Sequence, residues 1–144
     1  MKVAPRGENG SPARGRALGR STTAETIRTI QRGVRYQALS SIASASGLSG
    51  AELAGMLGIP PRTLARRKSA GRFSSDESER IIRLGRVFDL AVDLFEGDTA
   101  AAVNWLKTPK RALAGNTPLS YARTDIGGRE VERLIGQLEY GVFV

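Results

Sequence analysis

The segment that most constrains the fold is a short apolar stretch, residues 53–59, followed at once by a cationic stretch, residues 60–68. The first stretch is LAGMLGI, whose apolar residues fit one side of a short helix before Gly58 interrupts them. The second stretch is PPRTLARRK, and proline is tolerated in the first turn of a helix. These observations predict two short helices joined by a glycine turn, which is the layout of a helix–turn–helix motif.

The predicted second helix of this pair, residues 61–70, combines an apolar side with a strongly basic side. Leu64 and Ala65 face partly toward the preceding helix, whereas arginines project from adjacent turns. Arginine can pair bidentately with guanine, and both lysine and arginine bind phosphates, so the helix is predicted to contact DNA. A solvated basic helix on an ordinary helical bundle is the alternative. The residues predicted to contact DNA are Arg62, Thr63, Arg66, Arg67, Lys68 and Arg72.

The charge of the chain is divided unevenly along its length. Residues 1–73 contain 13 Lys and Arg against 3 Asp and Glu, a net charge of +10, whereas residues 74–144 contain 9 against 11, a net charge of −2. The first part therefore suits a polyanion, and the second has the mixed surface of a domain that binds proteins. This division favours a nucleic-acid-binding module joined to a second module.

Composition removes most catalytic and metal-binding chemistry. The chain contains no cysteine and no histidine, which excludes disulfides, thiolate nucleophiles, imidazole bases and the common zinc ligand sets. Asp89, Asp93 and Glu96 fall at helical spacing and could act as acid–base groups or bind a divalent cation, but a solvated acidic face is the more common outcome. We predict no catalytic residue, no metal site and no cofactor, hence no enzyme.

Helical periodicity and capping signals predict an all-α chain of three parts. Residues 1–22 are rich in Gly, Pro, Arg and Ser and are predicted to form a flexible basic tail, in which Arg14, Arg16 and Arg20 could touch phosphates. Residues 23–73 form the predicted helix–turn–helix region, opening with one amphipathic helix from Thr23. Residues 74–144 form the second helical module.

The predicted second module contains several helices with recognisable start signals. Ser74 begins the longest helix, and shorter helices follow Asp98 and Thr117. The last helix is predicted to begin at Thr124. Its predicted inward residues are Ile126, Val131, Leu134, Ile135 and Leu138, and it ends at Gly141 before an apolar tail.

No signal for a membrane location is visible. The chain has no run of about 18 apolar residues, and its basic beginning lacks the apolar segment of a secretory signal. We therefore expect a cytoplasmic protein with no membrane contact.

The order of several short motifs resembles the Xre-type antitoxins of the Xre/MbcA/ParS family. The resemblance covers roughly residues 25–144, and the joint occurrence of the motifs is more specific than any one of them. The motifs are LGIPPRTLARR (57–67), GRFS (71–74), ESER (77–80), WLKTP (105–109), GNTPL (115–119), ARTD (122–125), GREVE (128–132) and EYGVF (139–143).

This resemblance implies an antitoxin of a type II toxin–antitoxin system. Such a protein joins an Xre-like helix–turn–helix region to a C-terminal toxin-binding domain, neutralises a RES-domain toxin that consumes NAD by blocking its active site, and represses its own operon by binding operator DNA. A homodimer within a larger toxin–antitoxin complex is also implied. The resemblance places the toxin-binding surface in the last helix and tail, at Arg123, Arg129, Glu130, Arg133, Tyr140, Val142, Phe143 and Val144.

Two other functions fit the residues alone. The chain could be a stand-alone helix–turn–helix transcription regulator whose second half only dimerises. It could also be a small enzyme that uses Asp, Glu and Arg, although no nucleophile–base pair is visible.

Overall fold

The computed structural model describes residues 21–141, and within that range the chain is all-α, as predicted. Eight α-helices and one short 3₁₀ turn, Arg111–Leu113, make up the described part. The helices are α1 (Thr23–Arg32), α2 (Tyr36–Ser46), α3 (Gly50–Met56), α4 (Pro61–Ala70), α5 (Ser75–Leu94), α6 (Thr99–Leu106), α7 (Pro118–Tyr121) and α8 (Asp125–Tyr140). No helix in residues 21–141 is both long enough and apolar enough to cross a bilayer. The predicted basic tail, apart from residues 21–22, and its arginines lie outside the described residues.

The prediction of one continuous helix from Thr23 is wrong, because the chain breaks at Gly33 into α1 and α2. Gly33 has a φ of +89°, and a Cβ there would overlap the carbonyl oxygen of Phe73. Nearby, the Val34 amide donates to the Ser78 hydroxyl at 2.8 Å, and the Phe73 amide donates to the Val34 carbonyl oxygen at 3.0 Å. The break therefore lets the α1–α2 turn lie directly against the start of α5.

The predicted helix starts at Ser49, Ser74, Asp98 and Thr124 are confirmed. At Ser49 and Ser74 the hydroxyl accepts from the backbone amide three residues on, and that glutamate accepts from the serine amide in return. Asp98 and Thr124 each accept one such backbone hydrogen bond. Side-chain caps of this kind stabilise a helix end by about 1 kcal/mol each, which explains why short helices begin where they do.

Helix α5 is the central element, and it is buried along most of its length. It contacts α1 and α2 on the N-terminal side and α6 and α8 on the C-terminal side. Ile81, Val87 and Ala91 are fully buried within it. The apolar core is one continuous cluster that extends from Val34 to Ile135. The two halves of the chain therefore share a core through α5.

The last helix buries only part of its predicted inward face. Val131 and Ile135 are buried as expected, and Leu134 is half-buried. Ile126 was predicted to point inward, but it is 77% exposed, and Leu138 is 37% exposed. The reason is that the contact at the start of α8 is made by two glycines, Gly127 and Gly128, instead of by Ile126.

Candidate nucleic-acid interface and partner-binding surface

The α3–α4 pair forms the predicted helix–turn–helix motif, with a tight turn at Gly58. Gly58 has a φ of +75°, in the left-handed region that favours glycine. After it, the Ile59 amide donates to the Ala54 carbonyl oxygen at 2.8 Å. Leu53, Ala54, Leu57 and Ile59 are buried, so α3 and the turn are fixed to the core. The turn therefore holds the start of α4 in a defined position.

Helix α4 lies on the surface, with Leu64 half-buried on its inward side and Ala65, predicted to face the preceding helix, exposed. Leu64 packs against the core, whereas Arg62, Arg66 and Lys68 are exposed. None of these three cations forms an ion pair within residues 21–141; Arg66 Nη2 donates only to the Thr63 hydroxyl, at 3.3 Å. Three exposed positive charges on one helix with no internal counter-ion form a surface that suits a polyanion.

Two of the predicted DNA-contacting arginines form hydrogen bonds with other residues of the chain. Arg67 makes a bidentate pair with Glu77, with its Nε 2.7 Å from Oε1 and its Nη2 3.1 Å from Oε2. Arg72 Nη1 donates to the Gly33 carbonyl oxygen at 2.7 Å. These contacts hold α4 to α5 and to the α1–α2 turn. Arg67 and Arg72 thus help to fix the position of α4, whereas Arg62, Arg66 and Lys68 are exposed to solvent.

The carboxylate of Glu77 joins a helix cap to this ion pair. Burial raises the pKa of Glu77, but hydrogen bonds from Arg67 and Ser74 outweigh that effect and leave its pKa below the ordinary value. The same contact raises the pKa of Arg67. The side chain of Glu77 is only 9% exposed, and its Oε1 also accepts from the Ser74 amide at 2.8 Å. One carboxylate therefore caps α5 and anchors α4.

Acid is expected to weaken the protein through this carboxylate. Because the folded-state pKa of Glu77 is lowered, its stabilisation is present above the unfolded-state value of about 4.3 and is lost as the pH falls through the lower folded-state value. Glu77→Gln should therefore lower the free energy of unfolding at neutral pH by about 1–2 kcal/mol. The difference from the unmodified chain should shrink below about pH 4.

Urea unfolding across the acid range measures this effect. The matched control is Glu139→Gln, which changes an exposed carboxylate with no ion pair in residues 21–141. A Glu77→Gln curve that runs parallel to the unmodified curve at every pH would contradict the assignment.

The predicted partner-binding residues divide into two groups. On α8, Arg129 pairs with Asp125 at 3.0 Å and Arg133 pairs with Glu130, both on the exposed side of the helix. Tyr140 is 80% exposed and Leu138 is 37% exposed, both in the last turn of α8. The remaining predicted members, Val142, Phe143 and Val144, lie outside the described residues. Helix α8 therefore presents paired charges along its first half and exposed apolar groups in its last turn.

Arg123 does not lie with the rest of the predicted toxin-binding set. It belongs to the connection between α7 and α8, and its guanidinium lies against Gly58 in the helix–turn–helix turn. Sequence analysis also missed Arg80, whose Nη1 donates to the Leu57 carbonyl oxygen at 2.6 Å. No local sequence signal marks either contact, because Arg80 is 22 residues and Arg123 is 65 residues from Gly58 along the chain.

The acidic residues that could have held a cation do not form a metal site. Within residues 21–141, no group of three or more acidic side chains is placed to hold a metal ion. Asp89 is buried and Glu96 is exposed, so the helical spacing of Asp89, Asp93 and Glu96 does not create one open acidic face.

Comparison with known proteins agrees with this geometry. Residues 25–86 match the family model described as the antitoxin Xre-like helix-turn-helix domain, and residues 90–141 match the antitoxin Xre/MbcA/ParS C-terminal toxin-binding domain. The two matches meet inside α5, the helix that both halves share.

Three similar relatives are each named Antitoxin Xre. The protein from Yersinia enterocolitica is 43% identical over 118 residues, which cover 81% of this chain and 80% of that one. The protein from Photorhabdus laumondii is 48% identical over 86 residues, covering 59% and 58%, and that from Pseudomonas putida is 33% identical over 84 residues, covering 58% and 52%. With a helix–turn–helix region, a toxin-binding domain and relatives of this identity, the chain belongs to the Xre antitoxin family.

Proposed function

We propose that this antitoxin neutralises a RES-type, NAD-consuming toxin by binding it and covering its active site, and that it represses its own operon. Membership of the Xre antitoxin family supports an antitoxin role. Of the two matched domains, the helix–turn–helix domain would bind DNA and the C-terminal domain would bind a toxin. The role is one of binding, without catalysis, in the cytoplasm. No cofactor enters this function.

The DNA-binding half of the proposal depends on one observation: the exposed side of α4 presents Arg62, Arg66 and Lys68, none of which forms an ion pair within residues 21–141. In helix–turn–helix proteins the first residues of the second helix contact base edges in the major groove. Arg62 and Thr63 occupy those positions, and Arg66 follows one turn later. We propose that these residues meet bases or phosphates of the operator, while Arg67 and Arg72 orient the helix.

The toxin-binding half of the proposal rests on the end of α8. Exposed Leu138 and Tyr140, in the last turn of α8, offer apolar surface, and the sequence continues with the apolar residues 142–144. Buried apolar and aromatic side chains supply most of the binding energy of protein interfaces. Arg129, Glu130 and Arg133 would form the polar rim of that interface, and two antitoxin copies would assemble as a homodimer within the toxin complex.

Co-expression with the protein encoded next to this chain tests the proposal. The unmodified chain should restore growth to cells that produce that neighbour, and the two proteins should co-purify. Changing Leu138→Asp together with Tyr140→Ala should abolish both effects while leaving the affinity for DNA from the region upstream of the gene unchanged.

The matched control is Arg62→Ala with Arg66→Ala, which should retain rescue of growth and lose DNA binding. If the neighbour inhibits growth despite the unmodified chain and does not co-purify with it, the neutralising role is wrong. DNA binding without any such partner would favour the stand-alone regulator.

A further inference from the structure

Two guanidinium groups, one from α5 and one from the connection between α7 and α8, meet at the helix–turn–helix turn. Arg80, on α5, donates to the Leu57 carbonyl oxygen at 2.6 Å. A Cβ added to Gly58 would lie 3.5 Å from Arg80 Nη1 and 3.4 Å from Arg123 Cζ, and it would overlap Arg123 Nη2. Both positive charges therefore lie beside the same glycine, immediately before the start of α4.

The backbone of Arg123 is held in place by a buried arginine of α5. Arg83, whose side chain is only 9% exposed, donates from Nη1 to the carbonyl oxygens of Ala122 and Arg123, at 3.2 Å each. Arg83 also pairs with Glu79. Its side chain packs closely against Gly128, because a Cβ added to that glycine would lie only 2.6 Å from Arg83 Cδ. This network fixes the chain from which the Arg123 side chain extends toward the turn.

Among the described residues, 21–141, neither guanidinium beside Gly58 has a carboxylate partner. Arg80 and Arg123 form no ion pair in the part of the chain that the structure describes, and Arg123 is exposed. Two like charges placed side by side repel each other, and an anion bound between them relieves that repulsion. Guanidinium forks match the geometry of phosphate oxygens, so a phosphodiester is the anion that this pair suits best.

The position of the pair relative to α4 indicates which phosphodiester it would meet. In a helix–turn–helix complex, the first helix crosses the DNA backbone and the second enters the major groove by its N-terminal residues. The turn that joins them therefore lies at the boundary between groove and backbone. We propose that Arg123, with Arg80, binds a backbone phosphate of the operator, so that the toxin-binding domain contributes directly to the DNA interface.

This inference rests on the proposed DNA-binding function and assigns Arg123 to DNA instead of to the toxin. The test uses the full chain and the duplex that lies immediately upstream of its gene, with affinity measured over a series of salt concentrations. Arg123→Ala should weaken binding about three- to tenfold and reduce the magnitude of the log–log salt slope by about 0.9 per chain. Arg123→Lys keeps the charge and should restore the slope.

The matched control is Arg129→Ala, which removes the same charge from an arginine that is 78% exposed on α8 of the same domain. It should leave the affinity and the salt slope unchanged. Thermal unfolding of every variant should match that of the unmodified chain. Co-purification of the two Arg123 variants with the toxin should also be unchanged.

Two results would overturn the inference. One is an Arg123→Ala salt slope equal to that of Arg129→Ala, and the other is an Arg123→Lys slope as shallow as that of Arg123→Ala. Both results are read from a titration in which the unmodified chain binds the upstream duplex, and they reject the role of Arg123 alone. If the unmodified chain does not bind that duplex, the proposed repressor function is wrong as well. Binding by the unmodified chain therefore distinguishes failure of the inference from failure of the proposed function.

Discussion

Replacing Gly127 with alanine is expected to destabilise the protein by about 3 kcal/mol or more, which is a large part of the stability of a typical domain. Gly127 lies in the first turn of α8, where a Cβ would overlap the Tyr121 carbonyl oxygen and approach its carbonyl carbon to 2.8 Å. These are backbone atoms, and the Thr124 hydroxyl that caps α8 would be 3.0 Å away. Relief would therefore require α8 to move relative to α7.

Urea unfolding of the purified variant measures the loss. Gly136→Ala is the matched control, because it makes the same substitution in the same helix at a site with nothing within 4 Å of the added Cβ. That control should stabilise the protein by about 0.5–1 kcal/mol, since alanine loses less backbone entropy than glycine in a helix. Equal stability of the two variants would contradict the packing described for α8.

Removing both exposed arginines of α4 is the change expected to have the largest effect on DNA binding. Arg62→Ala with Arg66→Ala should weaken operator binding by about 1–3 kcal/mol for each arginine that pairs with a base, and by less for one that contacts only phosphate. The magnitude of the salt slope should fall by about 1.8 per chain if both neutralise phosphates. Both side chains are exposed, so the free energy of unfolding should stay unchanged.

Anisotropy titrations at several salt concentrations measure these changes. The control is Arg129→Ala with Arg133→Ala, which removes the same number of charges from the exposed side of α8. This control distinguishes the loss of a specific contact between α4 and DNA from the effect of lowering the net positive charge of the protein. Equal effects of the two double variants would mean that DNA is attracted by net charge alone, without docking of α4.

Local signals in the sequence predicted most helix boundaries. Ser49 and Ser74 each precede a glutamate by three residues, and Thr117 precedes a proline, so the start of each helix depends on atoms close in the chain. Periodicity predicted one helix across Gly33, whereas the chain breaks there into α1 and α2. The reason is its contact with the Phe73 carbonyl oxygen, 40 residues away, which helical periodicity does not reveal.

The candidate site was predictable in outline, but the use of each cation was not. The sequence indicated that α4 is a basic helix; it did not indicate that Arg67 binds Glu77 while Arg66 forms no ion pair within residues 21–141. Which arginine meets an acid depends on how α4 and α5 cross. Arg123 is the clearest case: its sequence position places it in the C-terminal domain, and its guanidinium lies at the turn of the N-terminal one.

The central position of α5 limits how such a protein can be rearranged by recombination. Fusing a foreign DNA-binding module to residues 74–144 would leave α5 without the surfaces of α1 and α2 that cover it, and a graft of a foreign toxin-binding module would have the same defect on the opposite side. Viable hybrids should therefore inherit α5 together with matching partners on both sides. Change of operator specificity is consequently easier by substitutions on the solvent face of α4 than by exchange of whole modules.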